Sequence, residues 1–365
     1  MSQSFSSQSQ QITSEPAARR AVNWPHVWAY IALSFGLAWL VDLVLYLNGG
    51  LKAPGASLML QLQMLMPALA ALLLGVFFFK ESPVYHKTNH SVSRWFIYYY
   101  FVMTFAYLVG ATVVMVQPAL AVTLSASLLL FSVVGLLLLW VLRWRGGSHS
   151  FAEAGLASGS FRLWMLYGLG MVLFYGLETL LNYVFKLGTL ADITKLYPPA
   201  AVAAIPPMAL LGSAFFNAVI LGPFLGLIIT FGEEYGWRGY LQSELVHLGR
   251  IRGVGLLGII WGVWHWPIIL MGYNYPGQPL LGPLLMTAYT VVLSYFLAYA
   301  VFKSKGLWTA AYLHALNNQT MSFLMVAVVA PVSMVTSFGI GIPGLILCAL
   351  IVVLLLRDPI WKETD

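Results

Sequence analysis

Glu233, Glu234 and Arg238 stand together at the end of a long apolar run, in a chain of 365 residues of which only 8% are charged. A carboxylate at membrane depth costs about 2.5 kcal/mol or more, so such residues are read as functional and their partners must be found. Three polar residues further on, also set in apolar runs, are the candidates: His265, His314 and Asn318. A carboxylate, two imidazoles and an amide can hydrolyse a peptide bond, because the reaction needs a base to activate water and donors for the oxyanion that follows. Glu and His also suit zinc and leave a position for water. Glu233, His265 and His314 are therefore candidate ligands for a divalent metal, and a metalloprotease is an open alternative. The chain has no His-Glu-x-x-His pair and no Gly-x-Ser-x-Gly elbow, which weighs against zinc and against a serine nucleophile.

Spacing sharpens these assignments. Glu234 and Arg238 are four apart and share a helix face, where an ion pair partly neutralises both. Glu233 is rotated from Glu234 by about 100° on a regular helix, which leaves it free to face something else. His314 and Asn318 are again four apart and project from one face; Asn317, three from His314, also comes within reach. Of the seven histidines, only His265 and His314 lie well inside apolar spans. One such histidine can simply bond a neighbouring helix; two of them after a glutamate pair point to a shared cavity. Beside His265, Gly262 permits close helix approach and Pro267 loosens the backbone.

The elements that must position these residues are membrane spans. With 60% hydrophobic residues and a mean hydropathy of +0.83, the chain exposes too little polar surface for a soluble globule. The expected fold is an all-α polytopic transmembrane bundle of about 8–10 spans. Apolar stretches fall near 24–48, 57–79, 95–117, 119–142, 162–186, 207–231, 251–271, 281–303, 307–330 and 336–356. The first boundary puts Glu233 at the edge of its span, whereas a helix over about 214–243 moves it inward. If all segments cross, only Lys52, Lys186 and Lys195 of the 18 Lys and Arg fall outside, the asymmetry expected when both termini are cytoplasmic. The net charge of +6 then anchors the protein to an anionic leaflet and implies no nucleic acid. The organisation expected is a disordered tail over 1–22, an N-terminal transmembrane region over 23–205, a catalytic core over 206–330, and a last span with a cytoplasmic tail over 331–365. Cys348, the single cysteine, reads as packing.

In order, Glu233-Glu234-x-x-x-Arg238, Trp261-x-x-x-His265 and His314-x-x-x-Asn318 resemble the three motifs of the CAAX-protease and bacteriocin-processing family of intramembrane endopeptidases. The similarity covers about 213–325. The second motif usually opens with Phe, where this chain has Trp261. The resemblance implies that Glu233 with His265 activates the attacking water and that His314 with Asn318 holds the oxyanion. Glu234 and Arg238 support them, and Trp261 takes its place among the supporting residues. It leaves metal dependence open. It also implies a bacterial cytoplasmic membrane as the location, the lipid bilayer as surroundings, and a membrane-associated peptide or protein as substrate. The site is expected to be cytoplasm-facing or at mid-membrane. The alternative function is a proton-coupled transporter, since Asp42 and Glu178 add carboxylates in or near other spans; interfacial positions are the plainer account of both.

Overall fold

A computed structural model describes residues 21–80 and 92–363. The tail expected over 1–22 therefore lies almost wholly outside the described residues, as does most of the 80–94 connection. The chain is an all-α polytopic bundle. Backbone polar groups find no water in hydrocarbon, so apolar runs of this length close their hydrogen bonds within helices. The first five helices are α1 (Trp24–Leu47), α2 (Ala56–Leu73), α3 (Arg94–Val116), α4 (Ala121–Glu153) and α5 (Phe161–Val184). After them come a short strand β1 (Gly188–Leu190), α6 (Pro207–Phe215), α7 (Leu227–Glu234), α8 (Arg250–Trp264), α9 (Leu281–Ser304) and α10 (Leu307–Phe323). Strand β2 (Val329–Pro331), which pairs antiparallel with β1, and α11 (Ile342–Leu355) complete it.

Polarity runs inside out, as a lipid solvent requires. Phe105, Leu130, Leu137 and Leu173 are exposed, while Asp42, Glu178, Glu233, Glu234 and Arg238 are buried.

Among the described residues, seven helical stretches are long and apolar enough to cross a membrane. The spans expected over 251–271, 307–330 and 336–356 are shorter or broken: α8 has 15 residues, α10 has 17 and α11 has 14. The reason is local. Helix α8 ends at His265 and resumes at Trp266–Leu270, with Pro267 supplying the break, and α10 loosens into a π-turn over Leu324–Val328. Non-helical backbone is tolerated at such depth where it lines a cavity. Residues 143–153, expected in a loop, instead extend α4, which bends at Gly147 where φ is +72°.

The helical run that carries the glutamates continues almost unbroken from Pro207 to Leu248, so it extends past Glu233 as the expected helix over about 214–243 does. It contains two π-turns, Phe216–Leu221 and Tyr235–Leu241, and Glu233 lies well inside it. Close approach fixes this run against α2. A Cβ on Gly232 would sit 2.8 Å from the Cα of Leu65, and one on Gly236 would sit 2.6 Å from the carbonyl carbon of Pro67. Helices α8 and α9 meet in the same manner, with Gly258 against Val291 and Gly262 against Thr287. Small residues let backbones approach where no hydrophobic effect drives helices together.

The bundle has two distinct ends. At one, the His26 ring stacks on Phe79 at 4.1 Å and the Asn23 backbone N–H donates to Glu244. Arg250 donates to the Ile360 carbonyl at 2.6 Å and pairs with Glu363, and Lys303 pairs with Asp358 at 2.7 Å. This is where α1 starts and α9 and α11 finish. At the other end, Tyr275 Oη donates to the Ile340 carbonyl, Asn182 Nδ2 donates to the Phe338 carbonyl, and β1 pairs with β2.

Candidate functional site

The polar residues singled out from spacing surround one cavity of about 490 Å³. Glu233, His265, His314, Asn317 and Asn318 all line it, together with Trp261. That size falls in the range of small-molecule and peptide side-chain sites.

Glu234 and Arg238 form the buried half of the centre. Arg238 Nη1 donates to Glu234 Oε1 at 3.0 Å, and the guanidinium lies 4.4 Å from the centroid of the Trp261 ring. Arg238 Nη2 also donates to Ser294 Oγ at 3.3 Å. The same Glu234 Oε1 takes a hydrogen bond from His314 Nδ1 at 2.8 Å. Spacing anticipated the pair with Arg238 and not the tie to His314. Since a carboxylate oxygen can only accept, Nδ1 carries a proton and the Nε2 edge of His314 is left for the cavity. All these groups are within the π-turn or face it, a backbone irregularity that occurs mostly at functional sites.

Glu233 is the open half. It is 2% exposed, and its Oε2 accepts from Trp261 Nε1 at 2.6 Å. The Trp261 position thus does two things: its ring covers Arg238 and its N–H fixes Glu233. A phenylalanine there could do only the first. His265 Nδ1 lies 2.8 Å from the Trp261 carbonyl. A carbonyl accepts, so Nδ1 is the protonated nitrogen and Nε2 presents a lone pair. The break after α8 is what permits this, since His265 ends the helix and folds its ring back on the carbonyl four residues earlier.

Asn317 and Asn318 take different parts. Asn317 Oδ1 accepts from both Tyr175 Oη and Tyr289 Oη, the latter at 2.7 Å. Asn317 Nδ2 then donates to Asn318 Oδ1 at 3.0 Å. Asn318 keeps its Nδ2 donors unused by that bond, and it is exposed on the cavity lining where Asn317 is buried. Spacing left the two open; the hydrogen-bond chain separates them.

A metal does not fit these residues. Among the described residues, no group of three His, Cys, Asp or Glu side chains is placed to hold one ion. Glu233, His265 and His314, the candidate ligands, line the cavity without forming such a group. The metalloprotease alternative finds no support in this arrangement.

Two residues were not anticipated here. Gln63 of α2 lines the cavity, and its Nε2 donates to Asp42 Oδ2 at 2.9 Å. Asp42, expected at an interface, is 1% exposed because α1 turns it inward onto Gln63. Glu178, also expected near an interface, is 3% exposed. The signal available in the sequence was the carboxylate of Asp42 in an apolar span; nothing in the spacing joined it to a glutamine 21 residues on.

Fold and site define a polytopic helical membrane protein with an ionisable cluster buried beside a cavity. Residues 215–320 match the family model for type II CAAX prenyl endopeptidase Rce1-like proteins. This match and the three motifs agree on the family of membrane endopeptidases to which the chain is similar, and the matched stretch holds Glu233, Glu234, Arg238, His265, His314 and Asn318 but neither Asp42 nor Gln63. No curated protein and no solved structure matches the chain.

Proposed function

We propose that the chain is an intramembrane endopeptidase that cleaves a peptide bond of a membrane-associated protein or peptide. The observation that carries this reading is the division of labour between the two glutamates, one locked in an ion pair and the other facing a cavity beside two histidines and an oriented amide. Glu233 takes a proton from water while the Nε2 lone pair of His265 holds that water. The water oxygen bonds to the scissile carbonyl carbon, giving a tetrahedral oxyanion. Asn318 Nδ2 and the Nε2–H of His314 donate to that oxyanion, the latter when the ring carries both protons beside Glu234. As the intermediate collapses the C–N bond breaks, and Glu233 returns its proton to the leaving amine. The catalytic core of this reading is the stretch over 206–330, with Gln63 reaching in from the region before it. Both termini are cytoplasmic and the membrane is the bacterial cytoplasmic membrane.

The transporter reading draws on Asp42 and Glu178, both buried carboxylates. A proton path through Asp42 and Gln63 to Glu233 would be its core. One experiment separates the two: mass spectrometry of new peptide N-termini in membranes holding the wild type or Glu233→Gln at equal abundance. Termini that vanish in the variant support the endopeptidase. Identical profiles, with a loss of solute or proton flux instead, support transport.

A further inference from the structure

The cavity is lined from the middle of the bundle and from one of its ends, and that end is identifiable by charge. Its floor is Glu233, His314 and Leu293, each near the middle of its helical run. Its rim is made by Tyr273 and Pro276 from the 271–280 connection, Ser322 and Val326 from the end of α10, and Met334 and Ile340 from the segment before α11. Tyr273, Pro276, Ser322 and Val326 are exposed. No residue from the other end of the bundle, where Arg250, Lys303 and Glu363 lie, lines it.

The rim end carries Lys52, Lys186 and Lys195, the three basic residues that the charge asymmetry sets apart from the rest. The opposite end carries Arg143, Arg145, Arg250, Arg252, Lys303 and Arg357 among others. Loops rich in Lys and Arg stay on the cytoplasmic side. The lining is soft as well. Five methionines, Met64, Met286, Met321, Met325 and Met334, line the cavity, and it contains no Lys or Arg. Flexible thioethers adapt to apolar groups of varied shape.

We infer that the cavity opens to the non-cytoplasmic side of the membrane, and not to the cytoplasmic side expected from the sequence, and admits an apolar, uncharged stretch at the non-cytoplasmic end of a membrane-anchored peptide. The sidedness belongs to the cavity itself, whereas the substrate class rests on the endopeptidase reading. The aqueous mouth supplies the water that hydrolysis consumes, and the methionine walls receive side chains next to the scissile bond. The methionine walls offer no counter-ion, and an acidic side chain in the cavity would meet no Lys or Arg.

Accessibility of introduced thiols tests the sidedness without any substrate. In full-length protein carrying Cys348→Ala, three reporters are placed one at a time: Gln278→Cys beside the rim, Ser322→Cys inside it, and Arg252→Cys at the basic end. A membrane-impermeant maleimide is the probe, applied to intact cells and to permeabilised ones. The expected result is labelling of Gln278→Cys and Ser322→Cys in intact cells, with Arg252→Cys labelled only after permeabilisation. The reverse pattern overturns the assignment of sides, and a Ser322→Cys that stays unlabelled under both conditions overturns the open cavity. The new N-termini lost in Glu233→Gln supply the second readout, mapping to apolar, uncharged stretches at the non-cytoplasmic ends of substrate spans. Termini lost only on cytoplasmic segments contradict the inference. Termini unchanged by Glu233→Gln, with the labelling as expected, remove the endopeptidase reading and leave the sidedness standing.

Discussion

Glu234 and Glu233 are neighbours in the chain, yet they belong to different regions of the molecule. Around Glu234 the charges close on themselves: Arg238 pairs with it, Trp261 covers the guanidinium, and His314 shares the same carboxylate oxygen. Glu233 accepts from Trp261 and lines the cavity. One turn of helix thus supplies both a braced scaffold and a group free to exchange a proton. A lone carboxylate in hydrocarbon is expensive, and one held in a buried ion pair is a poor base; setting them side by side lets the second hold the first in place.

Breaking the open region has the largest expected effect. Glu233→Gln keeps shape and the bond from Trp261 while removing the base, so cleavage falls by about 10²–10⁴-fold with folding retained. Peptide N-termini at matched abundance read this directly. Asn318→Ala removes one oxyanion donor and lowers turnover by about 10²–10³-fold, with substrate affinity little changed, as steady-state kinetics would reveal.

The braced region breaks differently. Glu234→Gln leaves Arg238 charged and buried without its counter-ion, an imbalance of about 3–5 kcal/mol that shows first as lost thermal stability and only then as lost activity. Restoring neutrality with Arg238→Met in the same chain recovers part of that stability. Trp261→Phe probes the seam between the two. It keeps the ring over Arg238 and deletes the donor to Glu233, so activity drops about ten- to a hundredfold while the melting temperature moves little. Gln63→Leu has the smallest effect, about tenfold or less on cleavage, and Asp42→Asn follows it because Gln63 loses the carboxylate that orients it.

The two regions were not equally legible in the sequence. Ionisable residues stand out against an apolar background, so Glu233, Glu234, Arg238, His265 and His314 were visible as a group, and four-residue spacing was enough to pair Glu234 with Arg238. The helical class followed from composition alone. What spacing could not convey was convergence between distant segments. Gln63 comes to line the same cavity as Glu233 where Gly232 and Gly236 let α2 pack tightly against the glutamate run, a tertiary fact with no local signature. The parts of Asn317 and Asn318 depend on Tyr175 and Tyr289, which belong to two other helices. Span boundaries misled where the site itself breaks helices. The interruption after His265 and the π-turn beyond α10 shorten spans that hydropathy reads as continuous.

The most direct test sets Glu233→Gln beside Glu234→Gln and measures, for each, cleavage-derived N-termini and melting temperature at equal abundance. Glu233→Gln is expected to melt with the wild type and yield none of its new termini, while Glu234→Gln melts well below it. A Glu233→Gln protein that still produces the wild-type termini would contradict the assignment of Glu233 as the base that activates water.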